Sequence, residues 1–197
     1  MGQKVRSSLP GKAAASIFYA TLLVCISIRA GYAFAQLGTY NSRFASIHYQ
    51  DPGQLDLLAR KIQPNPLIVS LSQIFKGSYR SMDEVKAGRY VDELFQRVQA
   101  VLDMPKRDMK VQIRLYRDQK DLSAVFEGIT SRHTQVPAFY WKETNAIYLN
   151  LEKISAGILA HEMAHAVIAH YFIISPPEKI SELLCQYVER EVSKGIF

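Results

Sequence analysis

The order of apolar and polar residues along the chain predicts strands and helices in alternation. Residues 109–116 (MKVQIRLY) alternate strictly, with Val111, Ile113 and Leu115 on one face, as in a half-buried strand. Residues 83–102 instead repeat apolar side chains at helical spacing. The same criteria predict strands at 43–49, 139–141 and 146–151, and helices at 54–62, 118–128, 153–173 and 176–193. Residues 67–80 fit either a strand or a loop.

The order β-α-α-β-α-β-β-α-α predicts an α+β domain, with helices packed on a small mixed or antiparallel sheet. The link between the last two helices contains Ser175, Pro176 and Glu178. We expect Ser175 to cap the last helix, Pro176 to occupy its first position and Glu178 to complete a capping box. Such a tight connection returns the second helix antiparallel to the first.

Composition narrows the class of protein. The 197 residues are 48% hydrophobic and 21% charged, which excludes a disordered or fibrous chain. The net charge of +6 would favour polyanion binding, but residues 1–35 carry four basic residues and no acid. Without them the chain has 24 − 4 = 20 basic and 18 acidic residues, a net of +2. We therefore expect no nucleic-acid partner.

Residues 1–35 have the pattern of a secretory signal peptide. A basic start is followed by an uncharged stretch at 13–28 and by the small-x-small sequence Ala33-Phe34-Ala35. Cleavage after Ala35 would leave a single domain at 36–197, secreted into the periplasm or the extracellular medium. The alternative is a retained membrane anchor, because 16 apolar residues fall slightly short of a full span of about 20. Lipoprotein processing at Cys25 fits less well, because Val24 is large.

Cysteine usage excludes a disulfide framework. Cys25 lies in the leader, so the exported domain retains Cys185 alone. We expect Cys185 to be a small buried side chain rather than a metal contact, since free cysteine is usually interior.

The strongest chemical signal is the HExxH pattern of residues 161–165 (HEMAH). Residues four apart share one face of a helix, so His161 and His165 could both bind one zinc ion. Glu162 would lie beside them, close enough to act as general base toward water on the metal. The surrounding segment is apolar, and buried His, Glu and His side chains are costly without a partner such as a metal.

A hydrolytic zinc site needs a third protein ligand. A metzincin would place glycine and histidine where this chain has Ile168 and Tyr171, so that class is excluded. Glu182, in the second turn of the last helix, would return to the level of the histidines. The alternative is that Glu182 is an ordinary solvated carboxylate, as we expect Glu189 and Glu191 to be.

HExxH followed by residues 181–187 (SELLCQY) resembles the gluzincin zinc metallopeptidases, and more closely the peptidase MA-like bacterial domains. The resemblance covers residues 110–190 well and 43–109 loosely. It implies a zincin-like fold, one Zn²⁺ held by His161, His165 and Glu182, and catalysis by Glu162. It also implies that a substrate peptide pairs with the strand before the motif helix, at Ile147, Tyr148 and Leu149. Leu183 and Cys185 depart from the small residues typical of the second helix.

The resemblance leaves the donor to the reaction's oxyanion unassigned. The possible donors are Tyr187, Tyr148, Tyr171 and His170. The alternative for each is a packed or surface position without a role in catalysis. Gln186 could accept a hydrogen bond from a ligand histidine or face solvent. Only 15 residues follow Glu182, so a pro-segment or a partner could complete the cleft. The predicted function is an exported zinc metallohydrolase, most simply a protease. The alternative is a catalytically silent, zinc-stabilised binding or assembly module of the cell envelope.

Overall fold

A computed structural model describes residues 38–64 and 82–195. The predicted leader at 1–35 and the ambiguous segment at 67–80 lie outside these ranges. Within the described residues, no helix combines the length and apolar character needed to cross a membrane.

In residues 38–64 and 82–195, five strands and five helices form a mixed α and β architecture, which is compatible with the predicted α+β class. The strands are β1 (Gly38–Asn41), β2 (Ala45–Tyr49), β3 (Val111–Tyr116), β4 (Ala138–Trp141) and β5 (Ala146–Asn150). The helices are α1 (Gly53–Lys61), α2 (Met82–Leu102), α3 (Gln119–Thr130), α4 (Ala156–Tyr171) and α5 (Glu178–Ser193). The predicted order is confirmed, with β1 as an additional first strand.

The strands form one mixed sheet in the order β1-β2-β3-β5-β4. The three inner strands run parallel, and β1 and β4 are antiparallel edges. The prediction that Ile147, Tyr148 and Leu149 form a substrate-binding edge is therefore wrong. Their strand β5 pairs with β3 on one side and β4 on the other, and all five of its residues are buried. The edge strand beside α4 is β4.

The two faces of the sheet hold different clusters. Ala138, Ile147 and Leu149 belong to the main core, together with residues of α2 and α4. Phe139 and Tyr148 alternate with them and therefore point to the opposite face. There the two rings stack in parallel with centroids 4.6 Å apart, and Phe126 of α3 packs edge-on against Phe139. Tyr148 thus lies on the face away from α4.

A buried asparagine directs the chain from the sheet into α4. Asn150 is fully buried; its side-chain amide donates to Gln119 at 3.1 Å, and its side-chain oxygen accepts the Glu152 N–H at 2.8 Å. Its carbonyl accepts the Ile154 N–H at 3.0 Å, and Ser155 then caps α4 by accepting from the Ile158 N–H. These bonds fix where the HExxH helix begins relative to β5.

Helices α4 and α5 pack against each other along much of their length. Gly157, near the start of α4, lies against Ser193 at the end of α5, so the two helices run antiparallel as predicted. The predicted capping box is wrong: α5 begins at Glu178 after Pro177, without a side-chain cap. Ser175 instead accepts a hydrogen bond from Lys142, the residue after β4.

Candidate metal centre

Three side chains from two helices converge at one point. His161 and His165 lie on α4, and Glu182 lies on α5. The Glu182 Oε2 atom is 3.6 Å from the Nε2 of His161 and 3.5 Å from the Nε2 of His165. The antiparallel return of α5 therefore brings together the three residues that the sequence singled out.

The two distances from Glu182 are close to those expected between neighbouring ligands of a zinc ion. Four donors at about 2.0–2.1 Å from a tetrahedral ion are about 3.3 Å apart, a few tenths of an ångström below the two distances here. Burial, and then the neighbouring His161, lower the pKa of His165, so its imidazole is neutral as a metal ligand must be. Two imidazoles and one carboxylate form the donor set typical of a catalytic rather than a structural zinc site.

Two further side chains hold the ligands in place. The Nδ1 of His161 is 3.0 Å from Glu189 Oε2, two turns beyond Glu182 on α5. An N–H on that nitrogen leaves Nε2 free to bind a metal. Glu189, which we expected to be an ordinary solvated carboxylate, is thus part of the site. Gln186 does not accept from a histidine; it donates to Glu182 Oε1 at 2.9 Å.

Glu162 lies between α4 and the sheet edge. Its Oε2 accepts the backbone N–H of Tyr140 in β4 at 2.8 Å. Burial raises the pKa of Glu162 to about 7, and the carboxylates of Glu182 and Glu189 add to the rise. His161 and the Tyr140 N–H act in the opposite direction. A carboxyl group with a pKa near neutrality beside two imidazoles is suited to accept and return a proton.

Cys185 lies behind the ligands. It is fully buried in the core, as predicted, and its Sγ and one ring nitrogen of each histidine lie within 4.8 Å of one another. Burial raises the pKa of the thiol, and the charges of Glu162 and Glu182 raise it further. In the metal-free protein the thiol therefore keeps its proton, while its distance from the two histidines would also allow the three side chains to hold a metal ion.

Among the described residues, no hydrogen bond or ring contact joins a predicted oxyanion donor to His161, His165 or Glu162. Tyr148 lies on the far face of the sheet, where its hydroxyl is 3.2 Å from that of Thr144. Tyr187 is exposed, with the Arg190 guanidinium over its ring. Tyr171 is also exposed. His170 bonds the Ala166 carbonyl within α4.

We call the region bordered by α4, α5 and the edge strand β4 the groove, because Glu162 contacts β4 and the two histidines face Glu182 of α5. Along an antiparallel pair, hydrogen-bonded positions alternate. The Asn150 N–H donates to the Pro137 carbonyl, so Phe139 and Trp141 direct their backbone groups toward β5. Ala138 and Tyr140 therefore direct theirs toward the groove, and the bond from Tyr140 to Glu162 agrees with this.

Two cavities of about 270 and 300 Å³ lie away from the histidines. The first is beside Arg43 and Lys106, and the second is between Ile62, Tyr90 and Val192. Neither cavity is lined by a histidine or a cysteine.

Comparison with models of known protein families, with curated proteins and with solved structures finds no match for this chain.

Proposed function

We propose that this protein is a zinc-dependent hydrolase of the gluzincin type, with a zincin-like fold, and that its substrates are peptides. The observation that carries the proposal is the position of Glu182 Oε2, almost equally far from the Nε2 atoms of His161 and His165. Glu162 lies next to His161 in sequence and points into the same groove. A structural zinc site would have no use for a carboxyl group of this kind.

His161, His165 and Glu182 would hold the ion, with Glu189 and Gln186 fixing the orientation of His161 and Glu182. A bound Zn²⁺ would act as a Lewis acid on a substrate carbonyl and would make water more acidic. Glu162 would accept a proton from the attacking water and pass it to the leaving amine.

The peptide would pair with the free edge of β4. The Tyr140 C=O points away from β5, has no hydrogen-bond partner among the described residues and could pair with an extended chain, whereas Ala138 is almost fully buried. Strand pairing of this kind recognises the peptide backbone. This proposal replaces the β5 edge with β4, the strand whose Tyr140 N–H contacts Glu162.

The leader supports export to the periplasm or the extracellular medium, with membrane attachment if residues 1–35 are retained. None of the predicted oxyanion donors reaches the groove, which favours a partner that completes it. The same observation supports the second function, a catalytically silent zinc-stabilised binding or assembly module.

The test combines metal analysis with cleavage of an unfolded protein, reduced casein. We expect one zinc per chain and cleavage that Glu162→Gln abolishes without loss of zinc. Glu182→Ala should lose the zinc, whereas Glu191→Ala should keep it, because the Glu191 carboxylate is bonded to Lys194 near the end of α5. Bound zinc without Glu162-dependent cleavage would leave only the silent module. No zinc in any variant would contradict both functions.

A further inference from the structure

A second candidate for the third metal ligand lies behind the two histidines. Cys185 is on α5, three residues after Glu182, so the two side chains are neighbours on one helix face. Its Sγ and one ring nitrogen of each of His161 and His165 lie within 4.8 Å of one another. The side chain is fully buried, and its thiol has no hydrogen-bond partner in the described part of the chain. This sulfur is therefore placed to bind an ion that the histidines hold.

Cys185 and Glu182 differ in chemistry and in exposure. The Glu182 side chain is 44% exposed and offers carboxylate oxygens, whereas Cys185 is 0% exposed and offers sulfur. Thiolates select soft metal ions, and carboxylates select harder ones. An ion bound by Cys185 would also lie deeper between α4 and α5 than an ion bound by Glu182. The two residues therefore suit different ions.

The distances favour Glu182 as the ligand for zinc. Its Oε2 atom already lies 3.6 and 3.5 Å from the Nε2 atoms of the two histidines. Around a tetrahedral zinc ion, a sulfur at about 2.3 Å and a nitrogen at about 2.0–2.1 Å are about 3.6 Å apart. Because the sulfur and the two nitrogens here span up to 4.8 Å, Cys185 would have to move closer to bind zinc. A larger ion has longer bonds to its ligands, so it requires less movement.

We propose that Cys185 is the third ligand for large, soft divalent ions such as Cd²⁺, which bind with His161 and His165 in place of zinc on Glu182. On binding, the S–H bond of Cys185 breaks, a metal–sulfur bond forms, and the proton passes to water. This inference rests on the metal centre of the proposed function and adds to it a selectivity and a mode of inhibition, because Cd²⁺ would displace the ion used in hydrolysis. A thiol that only packs in the core would leave the choice of ion unchanged.

The experiment adds CdCl₂ or ZnCl₂ to the metal-free protein. A thiolate bound to Cd²⁺ absorbs intensely in the ultraviolet by charge transfer, whereas imidazole and carboxylate ligands do not. All proteins carry Cys25→Ser, so that Cys185 is the only thiol. Cys185→Ala and Glu182→Ala each remove one of the two third ligands. Val188→Ala is the control, because it truncates another fully buried side chain of α5, and urea unfolding verifies that each variant is folded.

We expect the charge-transfer band to saturate at one Cd²⁺ per chain in the protein that keeps both ligands. Cys185→Ala should lose the band and bind Cd²⁺ at least about 10- to 100-fold more weakly, the loss usual even for a ligand's hydrogen-bond partner. Its affinity for Zn²⁺, measured by competition with a chelator, should be almost unchanged. Glu182→Ala should show the reverse, with weak zinc binding and an intact band. Val188→Ala should bind both ions as the parent protein does.

Saturation with Cd²⁺ without a charge-transfer band would overturn this inference, and this result needs no variant to fold. Equal losses of Cd²⁺ and Zn²⁺ affinity in Cys185→Ala would overturn it as well. In either case, zinc binding together with Glu162-dependent cleavage would leave the proposed function intact. If neither ion binds, the metal centre itself is wrong, and the proposed function with it.

Discussion

The Nδ1 atom of His161 and the Oε2 atom of Glu189 lie 3.0 Å apart, although 28 residues separate them in the sequence. This contact fixes the plane of the imidazole and directs its other nitrogen toward Glu182. Since the carboxylate accepts from the ring, it also makes the imidazole a stronger ligand.

We predict that Glu189→Ala weakens zinc binding by about 10- to 100-fold, as is usual when a partner of a ligand histidine is lost. Glu189→Gln should have a smaller effect, because its amide oxygen can still accept the hydrogen bond. Competition with a chelator of known affinity measures the change. Glu191→Ala is the matched control, because Glu191 is bonded to Lys194 instead of a histidine. Equal zinc affinity in Glu189→Ala and Glu191→Ala would show that the contact does not support the site.

The second prediction concerns the metal-free protein. Burial raises the pKa of Glu162 from 4.5 to about 7, so the folded state holds this proton more tightly than the unfolded chain. The stabilisation of the folded state by this bound proton is fully present below pH 4.5 and is lost as the pH rises to about 7. Glu162→Gln removes this pH dependence. Its free energy of unfolding should exceed that of the wild type by up to ~3 kcal/mol as the pH rises across that window.

Urea unfolding in the presence of a chelator, at several pH values between 4 and 8, measures the difference. Glu152→Gln, at an exposed position in the turn before α4, should follow the wild type throughout. A constant difference between Glu162→Gln and the wild type would mean that Glu162 titrates alike in both states.

The third prediction separates packing from catalysis at Tyr148. Tyr148→Phe loses the contact with Thr144 and should cost about 1 kcal/mol of unfolding free energy, with kcat unchanged. Tyr148→Ala should cost about 3–5 kcal/mol, because the stack on Phe139 is lost. A fall of about 100-fold in kcat for Tyr148→Phe would instead assign its phenol to the oxyanion.

The fourth prediction concerns the turn that joins β1 to β2. Asp92 of α2 accepts hydrogen bonds from the Ser42 hydroxyl and the Phe44 N–H through Oδ1, and from the Arg43 N–H through Oδ2. Asp92→Ala should lower the unfolding free energy by about 2–3 kcal/mol, because the two N–H groups lose their acceptor.

Asp92→Asn keeps one acceptor oxygen and should fall between Asp92→Ala and the wild type in urea unfolding. Glu93→Ala, at the exposed neighbouring position, should change stability little. Zinc affinity should be the same in all of these variants, since the turn lies at the other edge of the sheet. If Asp92→Ala and Glu93→Ala have the same free energy of unfolding, the three hydrogen bonds make no net contribution to stability.

Local pattern was enough to predict most elements and the convergence of the three candidate metal ligands. His161 and His165 are four residues apart on one helix, so their convergence is decided by helical geometry alone. The position of Glu182 near the histidines could be predicted because the short connection between the helices brings α5 back antiparallel to α4. Local chemistry predicts that Ser175 caps the last helix. Its hydroxyl instead accepts a hydrogen bond from Lys142, which is distant in the sequence.

The order of strands depends on contacts between distant segments, which is why β5 was mistaken for an edge. A signal was nevertheless present: residues 146–151 (AIYLNL) are almost continuously apolar, as in a strand buried on both faces. Pro137, which cannot donate to a ladder, directly precedes β4 and favours an edge. Glu189 could also have been found, because seven residues after Glu182 the helix has made nearly two full turns and presents the same face.

The bond between Glu162 and the Tyr140 N–H has a consequence for solubility. An edge strand with open backbone groups is a template for pairing with another copy of the chain, and β4 is such an edge. The Glu162 carboxylate covers one of its outward N–H groups with a negative charge. Removal of this side chain, as in Glu162→Ala, therefore does more than remove a base: it uncovers a short stretch of sheet along which two molecules can associate.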